Sequence, residues 1–327
     1  MAYSSGGLIQ AIDYNYFTWG GNTTGSYSGT INNLALVWGV GKGYKGYGQD
    51  VSLIGALSTS PLTTTVTATQ WAGFVYTLNR ALGHQSGAAD QLASGSNIGI
   101  TSGATVTAFA NVSTAISTIN STANVCASSG TTTTGSGLTT AISWANSTSA
   151  QSTSWTRTAT FASGADAARY FFNAGGYLNV VLTATNNNAT ARSTDVQTLI
   201  NTKVAGFRIN NANAVPRTGT GGTLVSSNSL GYYNLISTKQ TLVDVKSGSA
   251  TYTYSNDEFK IEINTNGAQG SNGDTGTVLT FTFTLSAPAQ TNSNFNDAVN
   301  VTATVRIDVV YPETTYLANT WGTVTIA

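Results

Sequence analysis

The chain has 327 residues, of which 8% are charged, with 13 basic side chains balancing 13 acidic ones. That is about a third of the usual charged fraction, and it excludes the positive field that collects phosphates and the polybasic patch that binds anionic membranes. Apolar residues reach 40% and aromatic residues 10%, too many for a disordered chain, while a single cysteine, Cys126, excludes an intrachain disulfide.

Taken in order, the N-terminus Met1-Ala2-Tyr3-Ser4-Ser5 lacks the basic start and apolar run of a signal peptide. No run of about 18 apolar residues follows anywhere, so no transmembrane helix is expected. Tyr14, Tyr16, Phe17 and Trp19 crowd together, and Ile31 to Trp38 reads as a short apolar element. Glycines alternate with aromatics from Gly39 to Gly48. This loop lacks the Gly-Lys-Ser/Thr of a phosphate loop. Tyr14, Tyr16, Trp19, Trp38, Tyr44 and Tyr47 are the candidate docking surface of this region.

The spacing of Trp71, Val75, Leu78 and Leu82 predicts a helix over 69–83, capped by Thr69 and stopped by Gly83, with Ile9, Ile12 and Val37 beneath it. His84, the only histidine, is expected to help cap that helix. Phe109, Val112, Ile116 and Ile119 suggest a second amphipathic helix. The Ser/Thr/Gly run after residue 125 reads as a linker. The predicted organisation is therefore a Gly/aromatic-rich domain over 1–125, a linker over 126–150 and a β-rich domain over 151–327.

In the second half, Trp155 to Phe161 reads as a strand. Ser163 and Asp166 form a capping box for a helix carrying Ala167, Ala168, Tyr170, Phe171 and Phe172, and Asn173 to Gly176 ends it. A strand from Tyr177 follows, then a helix starting at Ser193 and closed by Gly206. Beyond Leu230, Phe259, Ile261 and Ile263 alternate with polar residues, as do Leu279 to Leu285 and Val299 to Val309. Period-two alternation of this length predicts half-buried antiparallel strands. The expected fold is mixed and mainly β: a small helix-containing N-terminal domain, then an antiparallel β-sandwich-like domain with one or two helices.

Candidate chemistry is sparse. One His and one Cys exclude a conventional zinc site. The Asn/Asp-rich stretch from Asn264 to Asp274 has the composition of a calcium loop and equally of a hairpin connection. The acids Asp244, Asp257, Glu258, Glu262 and Glu313 show no pairing of the kind a glycosidase needs. No catalytic, cofactor or metal-binding residue is assigned. Tyr232, Tyr233, Tyr252 and Tyr254 are candidate contacts for a glycan.

Two stretches resemble a known kind of protein. Ile9-Gln10-Ala11-Ile12-Asp13-Tyr14-Asn15, Val37-Trp38-Gly39-Val40-Gly41, Gly46-Tyr47-Gly48-Gln49, Val66-Thr67-Ala68-Thr69-Gln70-Trp71 and His84-Gln85 occur in that order. They resemble the N-terminal region of virion structural proteins of tailed bacteriophages, including cyanophages. Thr156 to Phe161 and Ala167 to Gly176 resemble a segment recurring in the same proteins. The resemblance implies a place in the virion, in tail, neck or baseplate, after synthesis in the host cytoplasm. It carries no catalytic residues.

The expectation is a non-enzymatic structural subunit that contacts other virion proteins and copies of itself, with no nucleic acid, membrane or cofactor as partner. The neutral, hydroxyl-rich surface supports self-association. A carbohydrate-binding receptor adhesin and a head decoration protein are the alternatives.

Overall fold

The computed structural model of the chain describes residues 8–21, 32–41, 43–59, 64–88, 109–146, 148–248, 252–267, 276–289 and 297–327. It is mixed and mainly β. A layer of helices comes first: α1 (Ala11–Trp19), α2 (Leu34–Trp38), α3 (Ala68–Ser86) and α4 (Phe109–Ser121). Two antiparallel sheets follow. In chain order their elements are β1 (Ser129–Thr133), β2 (Leu138–Trp144), β3 (Gln151–Phe161), α5 (Ala167–Asn173), β4 (Tyr177–Asn186), α6 (Ala191–Thr198), β5 (Gly206–Ile209) and β6 (Ala214–Val215). The rest are β7 (Thr223–Ser227), β8 (Gln240–Lys246), β9 (Glu258–Thr265), β10 (Val278–Ala287), β11 (Val299–Pro312) and β12 (Val324–Ile326).

In the first sheet, β11 pairs with β1 and β2 on one side, and β4, β5 and β6 continue on the other; the second runs β12-β3-β10-β9-β8-β7. The alternation read in the sequence is the alternation of burial. Phe259, Ile261, Ile263, Leu279, Phe281, Phe283, Val301, Val305 and Ile307 are all buried. Strands β9 and β10 meet in uninterrupted register, Phe281 facing Ile263 and Phe283 facing Ile261.

Residues 126–150 are not a linker. Thr132 and Thr133 of β1 lie opposite Val310 and Val309, and β2 pairs with β11 from Val299↔Trp144 to Val305↔Leu138. Threonine is a good strand residue, so an exposed edge strand and a flexible spacer have the same composition here. One continuous apolar cluster runs from Tyr14 and Phe17 through Trp71 and Phe171 to Trp321 and Val324. The helical layer therefore passes directly into the β body.

Several helix ends differ from expectation. Thr67, not Thr69, caps α3: its hydroxyl accepts from Gln70 N at 3.2 Å while Gln70 Oε1 accepts from Thr67 N at 2.8 Å. Gly83 does not stop the helix. It lies inside it because the Tyr316 ring packs there, and a Cβ would fall 2.7 Å from that ring. The stop is Gly87, at φ +79°. Beneath α3 lie Tyr14 and Phe17, each with its ring 6.0 Å from Phe74, and buried Val37; Ile12 is only half-buried.

Asp166 precedes α5 without capping it, because its carboxylate is turned to Arg169 at 3.0 Å. Thr190, not Ser193, caps α6. Ser193 is buried one turn further on and accepts from Asn300 N at 2.9 Å. After α6 the chain widens into a π-helical stretch, Leu199–Val204, and Gly206 begins β5 rather than closing a helix.

Candidate functional site

The glycine-rich loop after α2 forms the seam between the two regions. It folds back on itself: Tyr47 N donates to Val37 O at 2.8 Å, Gly48 N to Gly39 O at 2.9 Å and Gln49 N to Trp38 O at 2.9 Å. Such a closed loop leaves carbonyls pointing outward and needs residues without a Cβ. Gly46 has φ +102°, and a Cβ there would lie 2.3 Å from Val40 O. A Cβ on Gly48 would fall 2.5 Å from the Tyr170 ring.

Helix α5 supplies the groups that satisfy those carbonyls. Buried Arg169 donates to Val40 O and to Gly41 O, the latter at 2.6 Å, while Asp166 holds its other arm. Asn173 Nδ2 reaches Gly43 O at 3.3 Å and Gly46 O at 3.1 Å. The Tyr233 hydroxyl joins Gly43 O to Asn173 Oδ1. From the C-terminal segment, Ala318 N donates to Gln49 Oε1 at 2.7 Å and the Thr320 hydroxyl to Tyr47 O at 2.7 Å. The two stretches that carry the sequence resemblance thus grip each other.

This clamp corrects the predicted docking surface. Tyr14, Trp19, Trp38 and Tyr47 are buried. The polar atoms of the first three reach backbone carbonyls within the layer: Leu53 O at 3.4 Å, Ile54 O at 2.6 Å and Asp50 O at 2.8 Å. The Tyr47 hydroxyl accepts from Gln85 Nε2 at 2.8 Å. Only Tyr16, 38% exposed, and Tyr44, 41% exposed, remain on the surface. Aromatic rings cluster for burial as readily as for docking, and here they share a core with Leu34, Val37, Val75 and Leu78.

The predicted glycan tyrosines are corrected likewise. Tyr232, Tyr233 and Tyr254 are buried. Tyr232 stacks on Phe172 at 4.7 Å and donates to Gly276 O at 2.9 Å. Tyr254 covers the Arg192 guanidinium at 5.2 Å and accepts from Asp297 N at 3.1 Å. The side chain of Tyr252 lies outside the described residues. So do residues 268–274 of the calcium-loop candidate. The described Asn266 uses its Oδ1 as a turn acceptor, for Thr277 N at 2.8 Å and Val278 N at 3.0 Å. Among the described residues, no group of three or more His, Cys, Asp or Glu could hold a metal ion. Nor is any helix among them long and apolar enough to cross a membrane.

His84 lies in the last turn of α3, as expected, but its ring caps no carbonyl of that helix: it is buried, its Nε2 lies 2.9 Å from Ala174 O, and its Nδ1 faces Cys126 Sγ at 4.0 Å. Burial lowers the imidazole pKa to about 4, against opposing contributions from the Ala174 carbonyl and Glu313. Neutral at pH 7, the ring donates Nε2–H to that carbonyl. Burial also pushes the Cys126 thiol up, and the thiol donates to Ser128 O at 2.7 Å. Both partners are held neutral, the opposite of an activated thiolate–imidazolium pair.

Two arrangements were not legible in the sequence. Arg192 and Asp257 form a fully buried bidentate pair, at 2.8 and 2.9 Å, with the guanidinium between the rings of Trp144 and Tyr254. Burial pushes the Asp257 carboxyl up, against the pull of Arg192. The second is a cleft of about 290 Å³ beside the clamp, open to solvent. It lies between residues 124–126, the turn from α5 into β4, and residues 208–213. Tyr177, Arg208, Asn210 and Asn213 are among its lining side chains, with Cys126 at its rim. The Asn210-Asn211-Ala212-Asn213 run was its one sequence trace, and that run also spells a turn.

No family model, curated protein or solved structure matches this chain.

Proposed function

We propose that this protein is a structural subunit of a tailed-phage particle, in tail, neck or baseplate, acting through contacts with other particle proteins and with its own copies, without catalysis. The observation that carries the reading is the outward face of each sheet. On the first, Thr304 stands between Thr139 and Thr183, and Thr302 between Ala141 and Thr185. On the second, Ser154 faces Thr284 and Thr158 faces Thr280, with exposed Thr156 between them.

These rows are neutral. A hydroxyl both donates and accepts, so these rows can exchange water for a partner without stripping ions, a step that costs several kcal/mol per charge; charges that share the faces include two ion pairs, Lys260 with Glu262 and Arg306 with Asp308. The clamp adds a second property suited to assembly: it ties the helical layer to the β body, so the unit can carry load as one piece. The sequence resemblance supplies the location.

Size-exclusion chromatography with light scattering on the purified chain, and mass spectrometry of purified particles, test the reading. The expected result is an oligomer at micromolar concentration and the chain among the particle proteins. A monomer at all concentrations and absence from particles would overturn it.

A further inference from the structure

We propose that the cleft beside α5 binds an acidic monosaccharide, a polyhydroxy ring carrying one carboxylate. The cation is Arg208. Its guanidinium lies 5.3 Å over the Tyr177 ring, which fixes its plane. The side chain is exposed and has no hydrogen-bond or ion-pair partner among the described residues. In register along its sheet, Arg208 faces Asn179 and Val215, and Asn179 faces Asp308. Asp308 is already committed to Arg306 at 3.0 Å and Gly135 N at 3.1 Å. No carboxylate lines the cleft. Glu313, the acid whose field reaches Cys126 and His84, is outside the lining and accepts from Thr315 N. A charged fork in a chain with few charges is thus left open toward the cleft, and a planar carboxylate matches it bidentately.

The remaining groups choose among anions. A phosphate dianion favours a nest of free backbone N–H groups. The glycines of the cleft offer none, because Gly175 N donates to Phe172 O and Gly176 N to Phe171 O. A single monoanionic group suits one guanidinium. Around it are amides. Asn124 Nδ2 donates to Asn211 Oδ1 at 3.2 Å, which leaves Asn124 Oδ1 as an acceptor. Asn213 is exposed, and its side-chain amide has no hydrogen-bond partner among the described residues. Amides donate and accept, as sugar hydroxyls do. A volume of about 290 Å³ falls just under the range of ligand sites, roughly 300–1,000 Å³, which suits one ring and not a chain of them. The neutral Cys126 thiol at the rim adds no competing charge.

The inference is independent of where the protein sits in a particle. Saturation-transfer NMR and calorimetric titration of the full chain with glucuronate, glucose and acetate test it. Glucuronate is expected to bind, and to bind more tightly than glucose or acetate. Arg208→Gln should weaken glucuronate about tenfold or more, the value of one charge-assisted contact. Asn213→Ala should weaken it about fivefold. Both side chains are exposed, so unchanged melting temperatures will confirm that the variants fold. Equal affinity for acetate would remove the sugar from the proposal, and equal affinity for glucose would remove the carboxylate. No saturation transfer from glucuronate, or an Arg208→Gln variant that binds as the parent does, would overturn it entirely.

Discussion

The β body and the helical layer satisfy their backbones in different ways. In the body, strands supply one another's hydrogen bonds: β10 pairs with β3 from Val278↔Thr160 to Ala287↔Gln151 without a break. In the layer, side chains reach across to carbonyls of loops and helix ends. Asn15 serves Leu57 O, Trp19 serves Ile54 O, Gln85 serves Ile119 O and Asn120 serves Asn33 O. A ladder tolerates loss of one side chain because its bonds are backbone to backbone. A set of side-chain struts does not, since each lost donor orphans a buried carbonyl, at about 1–3 kcal/mol. The layer should therefore be the more fragile of the two, except where the body itself relies on side chains.

That exception should give the largest effect. Arg192→Ala leaves Asp257 buried and unpaired, and opens space between Trp144 and Tyr254. We expect a loss of roughly 3–5 kcal/mol, read as a lower urea midpoint. The double variant Arg192→Met with Asp257→Leu should recover much of it, because well-packed apolar residues can replace a buried pair. A double variant no better than the single would show that the pair specifies the packing of α6 on the sheets rather than merely avoiding an orphan charge.

Next in size is the clamp. Gly46→Ala places a Cβ against Val40 O at φ +102°, so the loop must shift and its carbonyls leave Arg169 and Asn173. The expected cost is roughly 2–3 kcal/mol, and it should be local. Hydrogen exchange should speed up in 34–49 and in α5, while β10 and β11 stay protected. Uniform loss of protection would mean that layer and body unfold as one unit and that the contrast drawn between them is static only.

The same contrast explains what could be read from the sequence. Strands β9, β10 and β11 were legible because one face is wet and one dry, and apolar residues mark the dry one. Strands β1 and β2 were not, because Ser, Thr and Gly serve an exposed strand and a spacer equally. In the layer, helix α3 was legible from its apolar spacing, but the fate of its neighbours was not. Tyr14, Trp19 and Tyr47 read as a surface because nothing local says which rings face inward; that depends on Phe74, His84 and α5, distant in sequence. Arg192 and Asp257 are 65 residues apart and carry no motif. The cleft is assembled from three segments, of which only the asparagine run shows any compositional mark.

Acid should separate the two regions by sign. His84 at the seam has its pKa lowered to about 4 by burial, against an unfolded value near 6.5. Its contribution is fully present above pH 6.5 and is lost as pH falls toward 4, by up to about 3 kcal/mol for a shift of that size. Asp244 on β8 behaves oppositely. Burial, and then the Glu258 carboxylate beside it, raise its pKa to about 6, with Lys260 and Lys246 opposing. Its folded value lies above its unfolded one, so its contribution is present below about pH 4 and lost as pH rises through 6. The Asp244 effect is the smaller, because Lys260 and Lys246 offset part of the burial. Asp244→Asn should therefore raise the melting temperature at pH 7.5 by a few degrees at most and leave it nearly unchanged at pH 4. His84→Gln should flatten the acid limb between pH 6.5 and 4. If Asp244→Asn lowers the melting temperature at pH 7.5, the carboxylate is held by Lys246 and Lys260 more strongly than burial and Glu258 oppose it, and the strain assigned to this corner of the β body is absent.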